Sequence, residues 1–147
     1  YKGRKMNAVG ACIGAIVGLV AITPAAGFVT VQESVAIGFI AALVSNWAIA
    51  RQSKSGLDDT LDVFPSHGVG GMVGMVLTGV FAADVGLTSG ETDTFLWHLV
   101  ALVGVAIFTF GASLLLFKLV DKAIPLRVTG WQETLGLDES QHGETVD

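Results

Sequence analysis

Four long apolar segments alternate with short polar connections along the chain. They run from about Ala8 to Val29, Ser34 to Ala50, Val63 to Ala83 and Phe95 to Val120, and their interiors contain no Lys, Arg, Asp or Glu. Each has roughly the 20 residues that a helix needs to cross a lipid bilayer. The pattern therefore predicts four membrane-spanning helices at these positions.

A soluble bundle of buried helices is the alternative explanation of the same segments. Of the 147 residues, 52% are hydrophobic and 14% are charged, whereas an average soluble protein has about 25% charged residues. Too little polar sequence remains to cover four apolar helices, so we expect an all-α, polytopic membrane helix bundle with about four transmembrane helices. The composition excludes a disordered chain and a basic nucleic-acid-binding protein. The single cysteine, Cys12, excludes a disulfide scaffold.

The charged residues alternate between the connections. In the first and third connections, after Val29 and after Ala83, every charged residue is acidic. By the positive-inside rule, the basic connections face the cytoplasm, which predicts a multi-pass protein of the cell membrane (inner or plasma membrane). Residues 1–125 would form its transmembrane region, and residues 126–147 would form a cytoplasmic C-terminal tail. The basic residues are Lys2, Arg4, Lys5, Arg51, Lys54, Lys118, Lys122 and Arg127, and the acids outside are Glu33, Asp84, Glu91 and Asp93.

Small residues recur every four positions in the first and third segments. Such rows let helices approach closely in lipid, where association depends on packing rather than on hydrophobic expulsion. Simple helix packing and a narrow pore between thin helices both fit them. The rows are Gly10, Gly14 and Gly18 in the first segment, and Gly70, Gly74 and Thr78 in the third.

Thr23-Pro24 interrupts the first segment and predicts a broken helix. Irregular backbone at membrane depth is tolerated where protein or a water-filled cavity satisfies it. Thr23 can stand near a pore in such a break, or it can serve as a local hydrogen-bond partner of a freed carbonyl.

His67 is an ionisable residue at the start of the third segment, five residues after Asp62. An ionisable group inside a membrane is costly unless it faces a cavity or a partner. Imidazole can donate at one nitrogen and accept at the other, and it titrates near neutrality. His67 therefore suits a passage for a small protonatable solute, although a structural histidine in the bundle fits as well. We expect Asp62 to cap the following helix rather than to bind an ion, and Asp58 and Asp59 to be solvated loop residues.

Several classes of site are missing from the sequence. It contains no nucleophile triad, no metal-spaced Cys/His set, no phosphate loop and no dinucleotide fingerprint. We therefore expect no enzyme activity, no catalytic residue, no cofactor and no metal site.

The segment from Asp58 to Gly71, which reads DDTLDVFPSHGVGG, and the following LTGVFA at 77–82 closely resemble a signature of the ammonium transporter (Amt/MEP/Rh) family. The stretch GLVAITPAAGF at 18–28 is similar to the family's eighth membrane helix. LRV at 126–128 and GLDESQHGE at 136–144 resemble its cytoplasmic tail. The resemblance implies part of an eleven-helix, inverted-repeat fold, namely helices eight to eleven plus the tail. We therefore expect the chain to be a piece of a longer one, whose other part completes a homotrimeric subunit.

The resemblance also implies roles for individual residues. His67 stands where the family has the second histidine of a paired, otherwise apolar pore, and Val63 would line that pore beside it. Asp62 matches an acid that braces helix ends. The implied activity is movement of ammonium, or its analogue methylammonium, as ammonia with or without its proton.

A PII-type signalling protein, which docks on the cytoplasmic face of many bacterial members, is an implied partner. Here the tail at 129–135 reads TGWQETL and departs from the family's pattern. An ammonium-sensing membrane domain and an inactive partial bundle are the alternative functions.

Overall fold

The computed structural model describes residues 8–145, which contain helices, turns and loops and no strand. The all-α prediction is therefore confirmed. Contacts divide the chain into two compact units, one ending at Gly104 and one beginning at Val105. The helices are α1 (Ala8–Ile22), α2 (Val31–Gln52), α3 (Val69–Phe81), α4 (Asp93–Ala123) and α5 (Gly130–Leu135), with a π-helical turn at Phe64–Gly68 directly before α3, a 3-10 turn at Leu87–Ser89 and a second π-helical turn at Asp138–His142.

Within residues 8–145, three helical segments are long and apolar enough to cross a membrane. They are Val31–Gln52, Phe64–Phe81 and Asp93–Ala123, whereas Ala8–Ile22 is a shorter apolar helix. The four span boundaries that the apolar pattern gives stay a prediction. Lys2, Arg4 and Lys5, on which part of the predicted sidedness rests, lie outside the described residues, as do positions 146–147.

The predicted break in the first apolar segment occurs at Thr23-Pro24. α1 ends at Ile22, and residues 23–28 continue as turns in which the Ala26 N–H donates to the Ile22 carbonyl. The residue before a proline disfavours helical geometry, which explains the position of the end. Thr23 Oγ1 donates to the Leu19 carbonyl at 2.8 Å, so the local hydrogen bond expected of Thr23 is present.

A capping box fixes the start of α2 three residues earlier than the apolar pattern predicts. The Thr30 hydroxyl accepts from the Glu33 N–H, and the Glu33 carboxylate accepts from the Thr30 N–H at 2.7 Å. Two N–H groups that a helix start leaves without intrahelical partners are thereby satisfied.

The core of the first unit lies between α1, α2 and α3 and is built from small and medium side chains. Partly buried residues of α3, among them Val73 and Leu77, pack against it. Among the described residues, its buried centre contains no aromatic side chain, so helix spacing rather than ring packing determines how tightly the three helices meet. The buried centre consists of Val17, Ala21, Ala25, Ile37 and Ala41.

The row of small residues on α3 faces the other helices, as its spacing predicts. Gly70, Gly74 and Thr78 are all buried. At Gly74 the backbones of α3 and α1 approach so closely that a Cβ atom would overlap the Ala21 carbonyl oxygen and lie 2.8 Å from the Ala21 Cα. Only glycine fits this crossing.

The row on α1 is used only in part. Gly18 approaches α2, since a Cβ at Gly38 would lie 3.8 Å from the Gly18 Cα, whereas a Cβ at Gly14 would meet nothing within 4 Å. The same four-residue spacing therefore gives a helix contact at one position and open space at another.

The start of α4 packs on the end of α3 through another glycine. A Cβ at Gly79 would lie 3.1 Å from the Phe95 Cα and 3.4 Å from the His98 Cβ. The His98 Nδ1 lies 2.8 Å from the Thr94 carbonyl oxygen, so this imidazole is engaged within its own helix.

The second unit contains a short capped helix. Thr129 and Gln132 form a capping box at the start of α5, and Arg127 Nη2 lies 3.1 Å from Glu133 Oε1. The Ser140 hydroxyl, in the π-helical turn that follows, donates to the Gln132 carbonyl at 3.4 Å.

Gly74→Ala is expected to lower the thermal unfolding midpoint of the full-length protein in detergent, because the new methyl group overlaps the α1 backbone. Overpacking of this kind costs about 1–3 kcal/mol. Gly111→Ala, in α4, is the matched control, since its Cβ enters open space. Equal midpoints for the two variants would contradict the close crossing of α1 and α3.

Candidate functional site

The carboxylate of Asp59 ties the end of α2 to the start of the π-helical turn. It accepts from the Gln52 side-chain amide at 2.8 Å, from the Val63 N–H at 2.8 Å and from the Phe64 N–H at 2.9 Å. Hydrogen bonds to an ionised acceptor are stronger than those between neutral groups. Asp59 is therefore the residue that caps the helical segment carrying His67.

The expectation that Asp62 caps this segment is wrong, because Asp59 makes the cap while remaining a half-exposed loop residue. Asp62 adopts a left-handed backbone conformation with φ of 51°, and its N–H donates to the Asp59 carbonyl at 3.0 Å. This turn lets Asp59, rather than Asp62, reach the free N–H groups. Asp62 contributes through its carbonyl, which accepts from the Ser66 N–H at 3.0 Å and from the Ser66 hydroxyl.

The same contacts determine the electrostatics of Asp59. The Phe64 N–H, the Gln52 side chain and the Val63 N–H, in that order of effect, lower the pKa of the Asp59 carboxyl below its usual range. Each donor stabilises the ionised form, so the cap is strongest when Asp59 is charged.

The π-helical turn determines which side chains face inward. The Val69 N–H donates to the Phe64 carbonyl, which closes a wider turn than an α-helix has. Pro65 and Ser66 are buried by it, whereas His67 is exposed.

His67 borders a groove of about 510 Å³ between α1 and the π-helical turn. Val63, one turn before it, is half exposed and borders the same groove. The facing wall belongs to α1 and is apolar except for the Cys12 thiol. The residues that border the groove are Ala8, Val9, Cys12, Ile13 and Ile16 of α1, together with Thr60, Leu61, Asp62, Val63, Ser66 and His67.

The structure brings together three of the four residues singled out in the sequence. His67, Val63 and Asp62 border one groove, and Thr23 does not. Sequence reasoning missed the contribution of α1. The signal was present, since positions 9, 12, 13 and 16 have the spacing of one helical face.

The groove combines a titratable ring with an apolar wall. Within residues 8–145, no hydrogen bond to the His67 imidazole is found, and a neutral imidazole has one donor and one acceptor nitrogen. Such a site can pass a proton to or from a small base at the edge of an oily passage.

Asp59→Asn is expected to lower the unfolding midpoint of the protein at neutral pH, because the ion-strengthened cap is lost. Since folding lowers the pKa of Asp59, its stabilisation is complete above the unfolded value of about 3.9 and is lost as the pH falls through the lower folded value. Thermal unfolding at pH 3–7 should therefore show the gap between wild type and variant closing in acid. Glu91→Gln, in the loop before α4, is the control. A gap that stays constant with pH would contradict the charged cap.

Replacing Asp62 separates its backbone role from its carboxylate. Asp62→Gly should keep the left-handed turn, whereas Asp62→Ala should lose about 1 kcal/mol of stability, because alanine lacks the short polar side chain that lets aspartate adopt the left-handed region. Chemical or thermal unfolding of both variants measures the difference. Equal losses would mean that the carboxylate, rather than the backbone conformation, is what the fold requires.

Comparisons with known proteins agree with this architecture. The Ammonium Transporter Family model matches residues 1–147. The chain is 43% identical over 150 residues to an ammonium transporter of Bacillus subtilis, covering 96% of this chain and 37% of that protein. It is 39% identical over 147 residues to ammonium transporter Amt1 of Archaeoglobus fulgidus, covering 97% and 38%. The chain thus spans a little over a third of the length of these relatives.

Solved structures give the same result. The crystal structure of Saccharomyces cerevisiae Mep2 matches with a TM-score of 0.80 and 35% identity, covering 87% of this chain and 32% of that one. A structure titled Sensor Amt Protein matches with a TM-score of 0.81 and 30% identity, covering 96% and 36%. With its apolar helices and its match along the whole sequence, the chain belongs to the Ammonium Transporter Family of multi-pass membrane proteins.

Proposed function

We propose that this chain forms one wall of a pathway that moves ammonium across a cell membrane, and that His67 is the proton-handling residue of that wall. The observation that carries the proposal is the groove in which His67 and Val63 face the apolar side of α1. The names of the relatives, which are ammonium transporters, support the substrate.

The chemistry follows from the cost of moving a charge through an apolar passage. An unpaired ion in such surroundings costs far more free energy than a neutral polar molecule. Ammonium that gives up its proton can cross beside Val63 as ammonia, and the His67 ring can accept or return a proton along the way. Whether the proton crosses too depends on what the ring faces across the closed pore.

The remaining part of the fold would close the groove. Because the chain covers a little over a third of its relatives' length, we propose that a further segment supplies a second histidine and the opposite wall. Three such subunits would form a trimer. Arg51, Lys54 and Arg127 would face the cytoplasm, where a PII-type protein can dock near the tail.

Ammonium sensing is a second candidate function. The solved neighbour titled Sensor Amt Protein, at 30% identity, favours it. A sensor would bind ammonium and change the conformation of its tail without moving solute across the membrane. A transporter would carry methylammonium into cells or vesicles. Flux measurements therefore separate the two functions.

His67→Ala in the full-length protein is expected to change methylammonium uptake, or the current that accompanies it, by at least about tenfold, which corresponds to about 1.4 kcal/mol in a barrier. His67→Gln keeps a polar side chain that does not titrate near neutrality. Compared with His67→Ala, it should therefore recover methylammonium uptake more fully than the proton current that accompanies it. Uptake in cells without their own transporters and current in proteoliposomes measure the two quantities.

His142→Ala is the matched control, because His142 is an exposed histidine in the tail segment. It should leave uptake unchanged at equal amounts of protein in the membrane. Unchanged uptake and current in both His67 variants would refute the role assigned to His67.

A further inference from the structure

A second cavity, of about 120 Å³, lies between α1 and α2. It is distinct from the His67 groove, although Ile13 borders both. Its α1 wall includes Gly10 and Gly14, so backbone rather than side chains forms much of that side. From α2, the wall consists of Ala42, Ser45, Asn46 and Ile49.

Ser45 is the unusual member of this wall. The residue is 1% exposed, and its hydroxyl oxygen finds no hydrogen-bond partner within the part of the chain that the structure describes. On its other side lies α3, where a Cβ at Gly70 would be 3.5 Å from the Ser45 Oγ. Glycine offers no side-chain donor or acceptor there. A buried hydroxyl without a partner is costly in an apolar interior.

Two other helical hydroxyls bond to carbonyls of their own helix. The Ser34 hydroxyl donates to the Val31 carbonyl at 2.7 Å, and the Thr78 hydroxyl donates to the Gly74 carbonyl at 2.7 Å. Ser45 makes no such bond to its own helix. The Ser45 hydroxyl therefore needs a hydrogen-bond partner that the described side chains of α1, α2 and α3 do not provide.

We propose that the cavity between α1 and α2 is a binding site for internal water, held by the Ser45 hydroxyl. The cavity has room for more than one water molecule, each of which needs two to four polar partners. Asn46 borders the same cavity, and its amide can both donate and accept. None of the described residues that border it is a carboxylate, so a neutral molecule that donates and accepts suits it better than a cation.

A high-resolution structure of the full-length protein in ammonium-free buffer tests the site directly. We expect density for a water molecule about 2.8 Å from the Ser45 Oγ. Density that appears only with an ammonium salt, or an Oγ bonded to the Ala41 carbonyl with no water beside it, would overturn the proposal.

The thermal stability of Ser45→Ala provides an independent test. If water satisfies the hydroxyl, the variant loses that hydrogen bond, and its unfolding midpoint falls by about 2 °C or more. If the hydroxyl has no partner, its removal leaves the midpoint unchanged or raises it, which would overturn the proposal. Ser34→Ala is the control, since its hydroxyl bonds within its own helix. Neither readout depends on transport, so failure here leaves the role of His67 untouched.

Discussion

The backbone contact between Gly74 of α3 and Ala21 of α1 is the constraint on which the rest of the first unit depends. Lipid tails are as apolar as leucine side chains, so helices in a bilayer gain little from expelling them and associate chiefly by close packing. The core around Val17 and Ile37 contains mostly small side chains and can form only if the helix axes are close. The crossing also sets how far α1 stands from the π-helical turn, and therefore the width of the groove at His67.

His67 owes its exposure to two local features that act together. Asp59 satisfies the free N–H groups at the start of the helical segment, and the π-helical turn buries Pro65 and Ser66 while His67 faces the groove. A regular α-helical start would change the direction of each side chain after Phe64. The irregular backbone thus serves the placement of one ring, and the buried Ser66 hydroxyl bonds back to the Asp62 carbonyl to secure it.

Much of this arrangement follows from the sequence, because apolar length and small-residue spacing act locally along a helix. The helices, the break at Thr23-Pro24 and the buried face of α3 could all be predicted in this way. The cap could not, since three aspartates compete for it and the choice depends on the positive φ at Asp62. The α1 wall of the groove could not be predicted either. It depends on which helices are neighbours, and the periodicity of a single helix does not determine that. The Thr30–Glu33 capping box was readable from its spacing and gives α2 its early start.

The Asp59 link has a mechanical consequence for the groove. By bridging Gln52 and the start of the π-helical turn, it couples the histidine's segment to α2. The opposite wall belongs to α1, which packs on α2 and α3 through apolar side chains such as Val17 and Ala21. Any change in the position of α1 would therefore alter the clearance in front of the imidazole, while the ring kept its position relative to α2.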